Sequence, residues 1–271
     1  MRLIAAVALA LVTAAAALAE SRLETLDTGE KSRGWEAVGR LDMGGTGFCT
    51  GALIAPDLVL TAAHCLYDKT SGARHDLGAI TFLAGWRHGR AEAYRAVRRA
   101  VAHPDYVFQS ETGPLRVKND VALLELARPI RNTTVIPFAT GRRPGPGARI
   151  GVVSYARDRA EAPALQEVCA VEAEQSGVLV MDCEVDFGAS GAPVFSFGPE
   201  GRRIVSVVSA KAEMAGRKVA LGTALEGPLA LLQAELAAGR GHGMEESAPR
   251  VRRLGAGERS DDLGAKFVTP E

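Results

Sequence analysis

Neither sign of charge is in excess. The 271 residues carry 32 Lys and Arg against 32 Asp and Glu, a formal net charge of zero. Nothing electrostatic therefore points to nucleic acid or an anionic membrane as a partner. Aromatic residues are scarce, at 5%, although hydrophobic residues at 47% suffice for a real core. There are 4 cysteines, and no two of them stand in a C-x-x-C pair, which argues against a zinc site. Beyond the N-terminal stretch no segment approaches the length needed to cross a bilayer. The length fits one large domain or two small ones.

The first residues, MRLIAAVALALVTAAAALAE, read as a secretory signal peptide over 1–19. Arg2 is the positive n-region, Leu3 to Val12 the apolar stretch, and Ala17-Leu18-Ala19 a small-x-small cleavage site. The alternative is an uncleaved anchoring helix. Export makes disulfides the natural reading of Cys49, Cys65, Cys169 and Cys183. Sequence alone permits three pairings. The simplest is local, Cys49 with Cys65 and Cys169 with Cys183, each closing a loop of about fifteen residues and stabilising by about 3 kcal/mol.

Residues 20–35 are polar and mixed in charge, a loose arm or a short propeptide. From Trp35 onward, short apolar runs alternate with turn residues. Ala52-Leu53-Ile54, Leu58-Val59-Leu60, Ile80 to Leu83, Val121 to Leu124, Ile150 to Val153, Val178 to Val180 and Ile204 to Val208 are strand-length, and several are rich in β-branched residues. Such spacing predicts an all-β barrel or sandwich. Arg142 to Gly147, RRPGPG, reads as a linker between two β units. Helical spacing of leucines predicts a helix from about Gly227 to Ala238, closed by Gly239. Residues 240–271 are charged and poor in apolar side chains and are expected to be disordered.

Three segments carry chemistry. In Leu60-Thr61-Ala62-Ala63-His64-Cys65 a histidine ends an apolar strand beside a cysteine. Imidazole titrates near neutrality and can move a proton from a hydroxyl to a leaving amine. In Asn119-Asp120-Val121-Ala122-Leu123-Leu124 a carboxylate stands just ahead of a strand, where it can orient such a histidine. In Phe187-Gly188-Ala189-Ser190-Gly191-Ala192-Pro193-Val194 small residues surround one serine. A nucleophilic hydroxyl needs that open approach, and glycine lets nearby amides point at a developing oxyanion. Each segment alone has a bland reading: a structural histidine, a solvated turn aspartate, a serine in an ordinary turn.

Together, TAAHC, NDVALLEL and GASGAPV, in that order, resemble the signature blocks of the trypsin-like, chymotrypsin-fold serine peptidases, of the bacterial secreted type. Phe48 to Ile54 ahead of the histidine and Ala102-His103-Pro104-Asp105-Tyr106 ahead of the aspartate fit the same pattern. The resemblance covers about Val38 to Leu232. It implies two packed antiparallel β-barrels, the first over 36–141 and the second, with the C-terminal helix, over 142–239. It implies a catalytic triad of His64, Asp120 and Ser190, with the amides of Gly188 and Ser190 as the oxyanion hole. The order His, Asp, Ser separates this reading from an α/β-hydrolase, which places its serine first and its histidine last.

Other positions follow from the resemblance. Ala189 replaces the aspartate that most animal members pair with a new N-terminus after activation. Glu184, beside Asp182 and Asp186, is expected at the base of a substrate pocket, where it would favour basic side chains. Ser206 and Ser209 are candidates for the strand that pairs with bound peptide. Ser209-Ala210-Lys211 is the preferred match, with Lys211 narrowing or charging the pocket. His75, His88 and His103 are expected on loops or the surface, and Trp86 in the core or at a barrel edge. The expected activity is secreted or periplasmic endopeptidase action on polypeptide by a monomer, through an acyl-enzyme, with no metal or organic cofactor implied. One rival is a secreted binding module on the same fold with little or no activity. A second is a regulatory protease that needs N-terminal processing.

Overall fold

The computed structural model describes residues 23–109, 113–214 and 216–243; the expected signal peptide and most of the expected tail lie outside them. The described residues open with β1 (Glu24–Thr25), followed by β2 (Val38–Met43), β3 (Phe48–Ala55), β4 (Leu58–Thr61), β5 (Ile80–Ala84) and β6 (Ala93–Ala102). A short helix α1 (Pro114–Lys118) precedes β7 (Ala122–Leu126). Strands β2 to β7 pair antiparallel in the order β6-β5-β2-β3-β4-β7, and β7 pairs back onto β6, which closes a barrel. Every strand-length run named above falls within a strand or at its edge. The reason is simple: the closed sheet buries one face of each strand, and these runs supply the apolar side chains for it.

The second half repeats the pattern. It holds β8 (Arg149–Ala156), β9 (Arg159–Gln175), β10 (Val178–Met181), β11 (Pro193–Gly198), β12 (Gly201–Met214) and β13 (Arg217–Ala224). Their order is β9-β10-β13-β12-β11-β8, with β8 returning to β9. Its own core includes Ile150, Val152, Leu179, Val194, Val205 and Val208. A larger core fills the first barrel and extends into the seam, where Phe195 packs edge-on against Trp35 at 5.1 Å and Phe138 at 4.8 Å. Both local disulfides are present, Cys49–Cys65 and Cys169–Cys183.

The termini differ from expectation. The arm before Trp35 is anchored on the second barrel, with β1 paired to β9 through Glu24 opposite Leu165 and Thr25 opposite Ala164. Leu26 follows and is 1% exposed, a burial that contributes about 2 kcal/mol. Helix α2 (Pro228–Ala237) starts at a proline and ends before Gly239, whose φ is +73°. That start and stop are what the sequence predicts. The helix buries Leu229, Leu232 and Leu236 against β6 and β7 of the first barrel rather than against the second. The following β14 (His242–Gly243) pairs with β6 at Ala100 and Arg99. The first residues of the expected tail are thus a strand, because β6 offers an edge there.

Candidate active site

Strand β4 delivers the chain into a 3₁₀ turn, Ala63–Leu66, that carries His64. The Cys49–Cys65 bridge ties this turn to β3. His64 is 8% exposed and Asp120, between α1 and β7, is 2% exposed. The two are joined twice. The His64 backbone amide donates to Asp120 Oδ1 at 2.8 Å, and His64 Nδ1 lies 2.7 Å from Oδ2. A third donor comes from the other barrel: Ser209 Oγ donates to the same Oδ2 at 2.5 Å. Three donors on two oxygens offset the cost of burying the ionised carboxylate. Because a carboxylate only accepts, Nδ1 carries the proton, and in the neutral ring Nε2 is then an acceptor.

Ser190 lines the same cavity as His64 and Asp120, a space of about 190 Å³. Its loop is held without the missing aspartate. The Ala189 amide donates to the Asp186 carbonyl, Ala192 to Ala189, and Gly191 to Val208. Ala189 itself is fully buried. Gly188 and Gly191 take φ of +103° and +75°, the left-handed region that favours glycine. Among the described residues, the amides of Gly188 and Ser190 do not donate to backbone carbonyls.

Thr50 on β3 clamps this loop to the first barrel. Its amide donates to the Ser190 carbonyl at 2.9 Å and its hydroxyl to the Gly188 carbonyl at 2.8 Å. The same hydroxyl accepts from the Tyr155 amide at 3.1 Å, and the Thr50 carbonyl accepts from Thr61 Oγ1 at 2.9 Å. Thr50 is fully buried, so every lost partner is felt. Thr50→Val keeps the shape and removes the hydroxyl, stranding one buried amide and one buried carbonyl. We expect a loss of about 2 kcal/mol in thermal or denaturant unfolding. A change below a few tenths of that would show the clamp to be energetically idle.

The expected pocket residues divide. Ser209 and Lys211 line the cavity with Ser190. Ser206 does not: it is fully buried and its hydroxyl donates to the Thr223 carbonyl at 2.8 Å. Glu184 is also outside the cavity wall; it is exposed, and its amide donates to Gln166 Oε1 at 2.7 Å. The acidic side chain that reaches the cavity is Asp186, two residues on. Its carboxyl sits below the usual carboxylate range because Lys211 Nζ donates to it at 2.7 Å. In a run where every second residue is acidic, one shift of register changes which carboxylate faces inward. Where potential metal ligands cluster among the described residues, around Cys49, His64 and Cys65 and around Cys169, Asp182 and Cys183, the sulfurs are already joined in disulfides.

Two closed six-stranded barrels with a histidine, a buried carboxylate and a serine at their seam define the architecture of chymotrypsin-fold serine peptidases. Residues 28–218 match the trypsin family, and the chain belongs to it. The glutamyl endopeptidase of Bacillus licheniformis is 28% identical over 150 residues, 55% of this chain and 45% of that protein. A trypsin of Sarcophaga bullata is 33% identical over 92 residues, 34% of this chain and 32% of its own. Mouse serine protease 23 is 29% identical over 163 residues, 54% of this chain and 42% of its own. The chain thus spans less than half the length of these curated relatives. A solved Glu endopeptidase, in complex with MPD, superimposes with a TM-score of 0.66 at 17% identity, over 79% of this chain and 97% of that one. At that identity the likeness speaks for the fold.

Proposed function

We propose that this protein is an exported serine endopeptidase in which Ser190, His64 and Asp120 act as one catalytic unit. The observation that carries the reading is the doubly bonded His64–Asp120 pair in a cavity that Ser190 shares. Asp120 fixes the imidazole tautomer, so that Nε2 takes the proton of Ser190 as its oxygen attacks the scissile carbonyl. The imidazolium so formed is stabilised by Asp120 and returns the proton to the leaving amine, which departs and leaves an acyl-enzyme. Water, activated by the same imidazole, then frees the acid. The amides of Gly188 and Ser190 hold the oxyanion in both steps.

The acyl-side residue occupies the cavity beside Ser209, Ala210 and Lys211. With Asp186 bonded to Lys211 and Glu184 outside, selection of a basic side chain has no unengaged carboxylate to rest on. Export is supported by the two disulfides and by the reading of residues 1–19. In addition, no helix among the described residues is long and apolar enough to cross a membrane.

A fluorophosphonate probe tests the reading. It is expected to label the folded protein covalently, and Ser190→Ala is expected to abolish labelling. Folded protein that stays unlabelled would instead support the binding module.

A further inference from the structure

A second cavity, of about 380 Å³, shares His64, Lys69 and Phe187 with the first and continues past Gly188 along the Cys49–Cys65 bridge. Its charged lining is unbalanced. Lys69 and Arg157 bring two fixed positive charges, and His64 and His75 line it as well. Phe187, 52% exposed, stands between the two cavities and gathers cations: Lys69 Nζ lies 5.6 Å and the Arg157 guanidinium 5.2 Å from its ring centroid. Among the described residues neither Lys69 nor Arg157 is in a salt bridge. Lys211, which also sits over that ring at 4.4 Å, already has Asp186. The acidic side chain in the second cavity, Asp68, is turned into its own loop. Its Oδ1 accepts from the Thr70 and Ser71 amides and from the Ser71 hydroxyl, which holds its carboxyl below the usual range.

We infer that this second cavity is a subsite for an acidic side chain on the leaving-group side of the cleaved bond. The inference rests on the proposed function, which gives the first cavity to the acyl side. An extended peptide crossing Ser190 must then run on past Gly188 into the second. There a carboxylate would meet Lys69 and Arg157, each within 5.6 Å of the Phe187 ring centroid, while a lysine would meet like charge. Contact with the ring limits the freedom of Lys69 and of Arg157, so less is lost when the carboxylate arrives.

Binding to Ser190→Ala tests this without needing turnover. Three dye-labelled octapeptides, identical on the acyl side, carry Glu, Gln or Lys at the two positions following the scissile bond, and their affinities are read by fluorescence anisotropy. The Glu peptide is expected to bind roughly fivefold tighter than Gln, about the yield of one partly exposed ion pair, and Lys more weakly than Gln. In the Lys69→Gln, Arg157→Gln background, shown folded by its melting curve, the three affinities should converge. Equal affinities for Glu and Gln, or no measurable binding of the Glu peptide, would overturn the subsite. Fluorophosphonate labelling of the parent chain decides the catalytic reading separately, so the two can fail independently.

Discussion

Asp120→Asn is expected to lower kcat by about four orders of magnitude, the size typical when a triad carboxylate becomes an amide, while leaving a folded protein. The reason lies in the donors around it. His64 N, His64 Nδ1 and Ser209 Oγ all point at Asp120, and an asparagine has one acceptor oxygen for them. If that oxygen keeps the His64 amide, the new NH₂ group faces Nδ1. The imidazole answers by moving its proton to Nε2, where it blocks proton transfer from Ser190. Stability should fall by only about 1–2 kcal/mol, since the Ser209 hydroxyl can rotate to a new partner. Steady-state hydrolysis of a peptide substrate beside a melting curve separates the two effects. An asparagine variant within tenfold of the parent would remove Asp120 from the mechanism.

Gly191→Ala should be strongly destabilising. The backbone there has φ +75°, and a Cβ would lie 2.1 Å from Thr61 Oγ1, 2.5 Å from the Thr50 carbonyl oxygen and 2.8 Å from the Ala62 amide nitrogen. Left-handed strain costs about 1–2 kcal/mol, and overpacking about 1–3 more. Separating Thr61 from Thr50 loses a further 1 kcal/mol or so. A total near 4 kcal/mol corresponds to a drop of about 10 °C or more in Tm for a chain of this size. Gly147 is the control. Its φ is +80° but a Cβ there meets nothing within 4 Å, so Gly147→Ala should cost only the strain, about 1–2 kcal/mol. Equal melting temperatures for the two variants would show that the seam yields freely around Gly191.

Gly188 and Gly191, whose left-handed backbone flanks Ser190, stood out in the sequence because a nucleophile would require small residues around it. The apolar strands were legible for the same kind of reason, burial on one face. Strand β6, AYRAVRRAVA, was not. Its arginines interrupt the apolar pattern, and a register shift between Val97 and Arg99 breaks the alternation. Strand β9 gave little signal because Pro163 and the polar Glu161, Glu167, Glu172, Glu174 and Gln175 interrupt the apolar pattern over its 17 positions. Thr50 gave no signal, since a threonine in a β run reads as ordinary strand. Only the fold shows its hydroxyl bridging Gly188 and Tyr155 across 138 and 105 positions of chain. Lys69 and Arg157 were equally silent, being charged loop residues that meaning reaches only through Phe187.

The bonds from Thr50 to the Ser190 loop carry one consequence for biogenesis. The loop bearing Ser190 takes part of its shape from a strand made more than a hundred residues earlier, and the carboxylate beside the histidine takes one of its donors from the later half. On the proposed function, a chain in which either half is still unformed would have no competent constellation and could not attack its neighbours. Labelling of Ser190 by the fluorophosphonate probe should therefore be a coincidence signal, switched on by the meeting of the halves, and its appearance during refolding should time that meeting.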